Sequence, residues 1–428
     1  RSTARRATPS FPAGYPGGGA GARLTGSRRS PAAAGVLSQA AELVTELPTR
    51  DTSGMTHSES HPELVRLMEA GIAGGVFPGG ALLVRVRGLT VHLSFHGRRS
   101  LEPPGGPVDA HTCFDLASLT KVLVSTPLVL LSIQRGRLQL EEPVHRALKG
   151  YTGQDRETIT LRMLLDHSSG LPAWKPYYQK VDAAAGGARL ASFEGLEAVR
   201  RMVAAEEPEA QPGSRALYSD LNFILVDWIL HEVWGQPMDV LFSKWLARPL
   251  KLGGLFFVDL KSPARAARAR RGHAFAATER CPWRGRTLIG EVHDENAYAM
   301  GGVSGHAGLF GTIQDVAALA EGWLGSLLTG DGPFKPSLVT RFWQKSEVPG
   351  STHALGFDTP SPRASQAGGR FGPRTIGHLG FTGTSLWIDP DRELIVVLLT
   401  NRVHPTRKNE AIKRFRPALH ERVAELWP

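Results

Sequence analysis

The stretch FDLASLTKVLVSTPLVLLSIQRG, residues 114–136, sets Ser118 and Lys121 three positions apart at the head of an almost wholly apolar run. Val122, Leu123, Val124, Leu128, Val129, Leu130, Leu131 and Ile133 leave no polar face, the pattern of a helix buried on every side. Positions i and i+3 share a helix face, so Lys121 is expected beside Ser118 and one turn deeper. Burial disfavours the ammonium and lowers a lysine's pKa. A lysine so placed can take or relay the proton of a serine that is otherwise a weak nucleophile. Ser118, at the helix start, also offers its own N–H to an oxyanion. Pro127, inside the run, is expected to kink the helix or cost it a hydrogen bond. The string S-x-x-K occurs only here in the chain, but it is short enough to arise by chance, with Lys121 snorkelling to the surface.

Around this stretch, 428 residues with 41% hydrophobic and 21% charged side chains give enough chain for one large domain or two ordinary ones. No run of eighteen apolar residues occurs, so no membrane span is expected. Cys113 and Cys281 lack the partners of a disulfide framework or a zinc site and read as small buried hydrophobes. The net charge of +10 is carried in part by residues 1–54, where seven arginines face three acids. That segment, rich in Gly, Pro, Ala, Ser and Arg, reads as a disordered or mis-extended N-terminal region with the look of a transit peptide. It shows no secretory h-region. Residues 55–428 form the expected domain, which is cytoplasmic if residue 55 is the true start and periplasmic if an export signal is missing. The densest basic stretch, ARAARARRG (264–272), reads as a solvated loop or helix face, and no nucleic-acid partner is expected.

Periodicity places a helix after Met55 with Leu64, Met68 and Ile72 on one face. Two strands follow around Arg87-Gly88 (79–97), a second pair around Asp389–Arg392 (384–402), and a closing helix over roughly 408–426. Strands from both chain ends with a mostly helical middle predict an α+β fold: one antiparallel sheet flanked by helices, plus an inserted helical region.

Two further segments carry chemistry. In QPGSRALYSDLNFILVDWIL (211–230) a Pro-Gly turn precedes Tyr218-Ser219-Asp220 and an apolar helix, with Asp220 a plausible N-cap. Tyr218 either points its phenol into a cleft as an acid/base or packs on the core. In TIGHLGFTGTSLWID (375–389) an H-x-G at His378 leads toward a strand, and Gly380 and Gly383 would let a substrate backbone lie close. Similar triplets at His306 and Lys251 lack a convincing strand after them.

S-x-x-K, Y-S-D and H-x-G, in that order, resemble the serine β-lactamase and penicillin-binding-protein superfamily. The likeness is nearest to class C β-lactamases and the D-alanyl-D-alanine carboxypeptidases and esterases related to them, over roughly residues 60–425. LLDHSSGLP (164–172) and GFTGTSLWIDPDRELIVVLLTNRVHPT (380–406) are also similar to segments of that group. The resemblance implies a β-lactamase/transpeptidase-like fold and acyl transfer to Ser118 followed by hydrolysis, without metal or cofactor. It implies Lys121 as the base toward Ser118, and Tyr218 as proton donor to the leaving group and later activator of water. It further implies His378 in a catalytic position, an oxyanion hole from the N–H groups of Ser118 and Phe381, and substrate contacts from Asp220, Gly380 and Thr382. Asp220 stands where Asn is usual and His378 where Lys is usual. Both depart from the pattern that holds an anionic β-lactam, so the implied substrate is a D-Ala-D-Ala-like peptide or small ester ahead of β-lactams. The alternative is a catalytically weak module that binds cell-wall peptides.

The remaining polar clusters read less sharply. GEVHDENAYAMGGVSGHAGLFGT (290–312) groups His293, Asp294, Glu295, Asn296 and His306 without H-x-x-x-H spacing, so a polar loop lining the cleft is expected rather than a metal site. Gly302–His306 misses the G-x-S-x-G elbow at its last position. His167 reads as a structural histidine at a helix end. Asn401, Arg407 and Asn409 either meet a substrate carboxylate or belong to a surface loop.

Overall fold

The computed structural model describes residues 60–153 and 155–428, and the expected N-terminal region, residues 1–54, lies outside them. Helix α1 (Pro62–Ala73) leads into a hairpin of β1 (Gly79–Val86) and β2 (Leu89–Gly97). Its two-residue turn puts Arg87 and Gly88 at φ 50° and 76°, the left-handed pair that matches the twist of a tight hairpin. The short strand β3 (Thr112–Asp115) delivers the chain to Ser118, and helix α2 (Thr126–Gln134) follows a π-helical turn over Lys121–Ser125. The middle of the chain is mostly helical and contains α3 (Asp220–Trp234), β4 (Leu255–Phe257), β5 (Ala274–Phe275), α4 (Glu295–Ala299) and β6 (Leu309–Gly311). Helix α5 (Ile313–Leu328), strands β7 (Ile376–Leu379), β8 (Ser385–Asp389) and β9 (Leu394–Thr400), and helix α6 (Ile412–Leu426) complete the frame.

The principal sheet runs β2-β1-β9-β8-β7, antiparallel throughout, with Val84 opposite Val396 and Leu386 opposite His378. It is built from the two chain ends, as the sequence predicts. Both its faces are covered, which is why ALLV and LIVVLL are continuous apolar runs rather than alternating ones. Leu82, Val84, Val396 and Leu398 pack with Leu64 and Met68 of α1 and Leu419 and Val423 of α6. Leu83, Val397 and Leu399 face the other way, into the large core shared with α2, α3 and α5. A second sheet, β4-β6-β3-β5, was not anticipated within the middle region. Its strands have four residues at most, too few for a pattern to register.

The apolar run after Ser118 is buried as expected, with every residue from Val122 to Leu130 at 0% exposure or close to it. Pro127 is accommodated without a break. The preceding turn widens to π geometry, with the Thr126 N–H reaching back to the Lys121 carbonyl, and Pro127 falls in the first turn of α2, where a missing N–H costs little. Each fully buried Leu or Val of this run contributes about 1.5–3 kcal/mol. Together they outweigh the several kcal/mol needed to desolvate one lysine. ARAARARRG lies on a short helix, Pro263–Arg270, whose Arg265 pairs with Asp239 and Asp259.

Burial pushes the imidazole of His92 down to about 3 and those of His378 and His420 down to about 4. In the unfolded chain each takes its proton near pH 6.5. Unfolding therefore takes up protons between about pH 6.5 and 4, and stability falls as pH drops through that window, by up to about 1.4 kcal/mol per pH unit for each group. The thermal midpoint should decline steadily from pH 7 to 4.5. A flat midpoint there would mean that these imidazoles are already charged in the native protein.

Candidate active site

Ser118 sits on a constrained turn between β3 and the buried helix. The residue before it, Ala117, has φ 47°, a left-handed conformation that costs a non-glycine residue about 1 kcal/mol. Two bonds hold it there: the Ala117 N–H donates to Asp115 Oδ1 (2.9 Å), and the Thr120 hydroxyl donates to the Ala117 carbonyl (2.6 Å). The other carboxylate oxygen of Asp115 accepts the His293 N–H (2.7 Å). Burial pushes the Asp115 carboxyl up in spite of these donors.

Lys121 has no exposed surface, and its Nζ reaches three acceptors: Ser118 Oγ (2.8 Å), Asp220 Oδ1 (2.7 Å) and the His306 carbonyl (3.1 Å). An ammonium has three N–H groups and all three are used. The same cage fits the free amine, whose two N–H groups would serve Asp220 and His306 and whose lone pair would face Ser118. Burial is the largest influence on Lys121 and lowers its pKa; Asp220, and beyond it Asp294 and Asp358, oppose that shift without reversing it. From the other side, the Tyr218 hydroxyl donates to Ser118 Oγ at 2.9 Å. Its ring is backed by His167, centroids 4.6 Å apart.

His167 is the structural residue expected. Its Nδ1 accepts the Ser219 N–H (3.1 Å), and its carbonyl accepts the Leu217 N–H (2.8 Å), so it grips the chain on both sides of Tyr218. Burial holds its pKa well below the usual histidine value. His378 lies on β7 with its ring 5.8 Å from that of Tyr218, and no hydrogen bond links it to Ser118. Its Nδ1–H donates to the Leu379 carbonyl (2.8 Å), and its buried Nε2 has no hydrogen-bond partner among the described residues. Two neighbours of this site carried no sequence signal: His353, with Nδ1 2.9 Å from Asp358 Oδ1, and Asp358 itself, whose backbone pairs with Gly377. Burial opposes the charge on Asp358, yet His353, His378 and Lys121 hold its carboxyl below the usual range.

With this geometry established, the kinship is clear. A family profile described as Beta-lactamase matches residues 64–419. The chain belongs to the β-lactamase family. It is a serine hydrolase. It is 34% identical over 309 residues to an Escherichia coli K12 protein named as a D-alanyl-D-alanine carboxypeptidase, covering 68% of this chain and 70% of that one. It is 30% identical over 371 residues to a Bacillus subtilis protein named N-acetylmuramyl-L-alanine amidase, covering 79% and 80%. Among solved structures, the fold is shared with EstCE1, a hydrolase with promiscuous acyltransferase activity (TM-score 0.61, 22% identity, 83% of this chain and 97% of that one). It is also shared with an octameric penicillin-binding protein homologue from Pyrococcus abyssi (TM-score 0.63, 19% identity, 82% and 76%).

Within this β-lactamase-family site, several expected roles change. Asp220 is the first residue of α3 rather than its cap; Ser219 occupies the cap position, and the Asp220 carboxylate is engaged by Lys121. His378 lies within a strand that ends at Leu379, and residues 380–384 make the turn that leads from β7 to β8. At Gly380 a Cβ would fall 1.9 Å from Thr384 Oγ1 and 2.7 Å from the Leu116 carbonyl, while its N–H donates to the Thr384 carbonyl. Glycine is needed there for contact with the protein's own chain. The Thr382 hydroxyl is likewise committed, donating to the Asp115 carbonyl (2.7 Å). Gly380 and Thr382 thus fasten the sheet turn to the turn that carries Ser118. Between them Phe381 is clamped, its ring stacked on His293 (5.6 Å) and under the Arg402 guanidinium (4.6 Å), its carbonyl accepting from Arg402 Nε (2.9 Å).

The late polar residues are engaged within the fold. Asn401 bonds the Gly79 N–H and the Arg99 carbonyl, Asn409 bonds the carbonyls of Gly75 and Val76, and Arg407 pairs with Glu279 and Glu295. His293 pairs with Glu279, and His306 with Asp294; no set of three His, Cys, Asp or Glu side chains is placed to hold a metal ion among the described residues. Lys121→Met leaves Asp220 buried without its cation and should cost about 3–5 kcal/mol in urea denaturation. Pairing that change with Asp220→Asn should recover most of the loss. A loss below about 1 kcal/mol in the single variant would mean that water compensates the carboxylate.

Proposed function

We propose that this serine hydrolase works through a covalent acyl-enzyme on Ser118, with Lys121 and Tyr218 as its proton-transfer groups, and acts on amide or ester bonds. The observation that carries the reading is that Ser118 Oγ lies within hydrogen-bond distance of both Lys121 Nζ and the Tyr218 hydroxyl. In the free-amine form Lys121 takes the Ser118 proton as Oγ attacks the substrate carbonyl. The oxyanion that forms is met by the N–H groups of Ser118 and Phe381, the latter held by the His293–Arg402 clamp. The tetrahedral centre collapses, the leaving amine or alkoxide takes a proton from the Tyr218 hydroxyl, and Lys121 returns the proton to tyrosine. Water then attacks the ester on Ser118 by the same steps in reverse order, which releases the acid and restores the serine.

The substrate class we favour is a D-Ala-D-Ala-type peptide or a small ester. The carboxypeptidase and amidase names of its relatives support the amide side. His378 supports the choice against anionic β-lactams: burial pushes its pKa down to about 4, so at neutral pH it places no positive charge where Lys is usual. One observation favours the weaker alternative, a binding module. A full carboxylate on Lys121, in place of an amide, stabilises the ammonium and withholds the base.

Intact mass after incubation with a fluorescent penicillin, an activated p-nitrophenyl ester and a fluorophosphonate separates these readings. An adduct is expected with the ester and the fluorophosphonate, and none in Ser118→Ala. Tyr218→Phe should still fold and should slow acylation by about 10²–10⁴-fold. Failure of every probe to label wild-type protein would leave the binding module as the reading to pursue.

A further inference from the structure

The glycine-rich stretch 290–312, expected from sequence to line a cleft, makes a different set of contacts in the fold. It straps the start of the nucleophile helix at several points. The Gly305 carbonyl accepts the Ser125 hydroxyl (2.6 Å), the His306 carbonyl accepts Lys121 Nζ (3.1 Å), the Leu309 N–H donates to Thr120 Oγ1 (3.2 Å), and the Leu116 N–H donates to the Leu309 carbonyl (2.9 Å). A side chain at Gly305 is precluded, because a Cβ would lie 2.2 Å from the Phe223 carbonyl. The His306 ring is anchored at both ends: Nδ1 meets Ser304 Oγ at 2.8 Å, and Nε2–H donates to Asp294 Oδ1 at 2.9 Å. That same Asp294 oxygen caps α4 by accepting the Ala297 N–H (2.7 Å). Ser304 and His306 are buried, so this Ser–His–Asp chain cannot serve as a second nucleophile. What it presents to the active site is a main-chain carbonyl.

We propose that Ser304, His306 and Asp294 form a buried strut that fixes the His306 carbonyl against Lys121, which makes Asp294 and His306 positioning residues for acylation. The proposal rests on the reading of Ser118 as nucleophile and Lys121 as its base. A lysine amine has four rotatable bonds to misdirect it, and a shift of about 1 Å in a reacting group costs on the order of 10²-fold in rate. Two of the three Lys121 acceptors are side chains that can rotate away; the carbonyl is the one tied to rigid backbone. The strut also brings a charge. The ionisable groups that act on Lys121 are Asp220, Asp294 and Asp358, which favour its ammonium, together with His167 and His378, which stand near it; the Tyr218 and Phe223 rings lie 5.0 and 5.5 Å from Nζ.

Asn at 294 can keep the helix cap and the hydrogen bond to His306 while removing the charge; Ala removes all three. Stopped-flow acylation by p-nitrophenyl acetate, followed against pH, should show Asp294→Ala slowed by about 10²-fold in kcat with KM little changed. Asp294→Asn should keep most of the plateau rate, while its acidic limb moves to lower pH, because a missing negative charge lets Lys121 lose its proton sooner. NMR titration of the Lys121 side chain in wild type and Asp294→Asn gives the same shift without any turnover. Should Asp294→Ala not fold, Ser304→Ala, which frees the other end of the His306 ring, takes its place with the same expected loss. A wild-type kcat in the folded Ala variant would overturn the strut, and an unmoved acidic limb and Lys121 titration in Asp294→Asn would overturn its effect on the lysine's charge. Absence of any Ser118 adduct in wild type would instead overturn the nucleophile reading, and the NMR titration would still judge the strut.

Discussion

A lysine amine without solvent has to find its hydrogen-bond partners in the protein, and meeting that demand organises much of this molecule. The three acceptors around Lys121 come from its own helix, from the first turn of α3 ninety-nine residues later, and from a loop a further stretch along the chain. None can be lost cheaply, because an unpaired buried charge costs several kcal/mol where an exposed one costs almost nothing. The lysine therefore brings α2, α3 and the 304–309 loop to one point, and Ser118 is at that point because it is one of the three acceptors. Tyr218 arrives by the same route, since the residue two positions after it is Asp220.

The sheet contributes the other half of the site through equally local ties. Thr382 bonds the Asp115 carbonyl and Thr384 the Leu116 carbonyl (3.2 Å), so the β7–β8 turn is fixed to the strand that leads to Ser118. Asp115 is the common element: its main chain receives the sheet turn, and its carboxylate holds Ala117 on one side and His293 on the other. His293 then stacks on Phe381, which closes the circuit from the Ser118 turn through the 290s loop to the sheet. A rigid position for one N–H relative to one hydroxyl is the product of these contacts.

What the sequence disclosed follows from how local each signal is. The two hairpins, the closing helix and the all-apolar helix after Ser118 are properties of neighbouring residues, and they were legible. So were Ser118, Lys121 and Tyr218, whose meeting at one oxygen was expected from ordered motifs. Asp220 was misread because an aspartate before an apolar helix looks the same whether it caps that helix or pairs with a lysine ninety-nine residues away. Gly380 shows a related ambiguity: a glycine demanded by the protein's own backbone is indistinguishable, in sequence, from one demanded by a ligand. Pro127 looked like a fault in a helix, yet a single wide turn absorbs it. His353 and Asp358 left no trace, and Asp294 and His306 registered only as members of a polar cluster, since their pairing with Ser304 is set by the tertiary fold.

The balance of charge in the finished site explains why these hidden residues matter. Lys121 is the cation at the centre of the cage, and Asp220 touches it while Asp294 and Asp358 act on it from farther away. The imidazoles of His167 and His378 are held neutral by burial, so they add no positive charge in compensation. A lysine so enclosed by carboxylates has little field left to draw an anion from solution, because its charge is answered within a few ångströms. In the mechanism we propose, its value to the site is then its proton rather than its charge. Burial lowers the proton's affinity for nitrogen, the carboxylates raise it again, and the balance between them sets how readily the amine appears beside Ser118. A carboxylate at position 220 instead of an amide moves that balance toward the ammonium, and the desolvation of Lys121 has to be deep enough to bring it back.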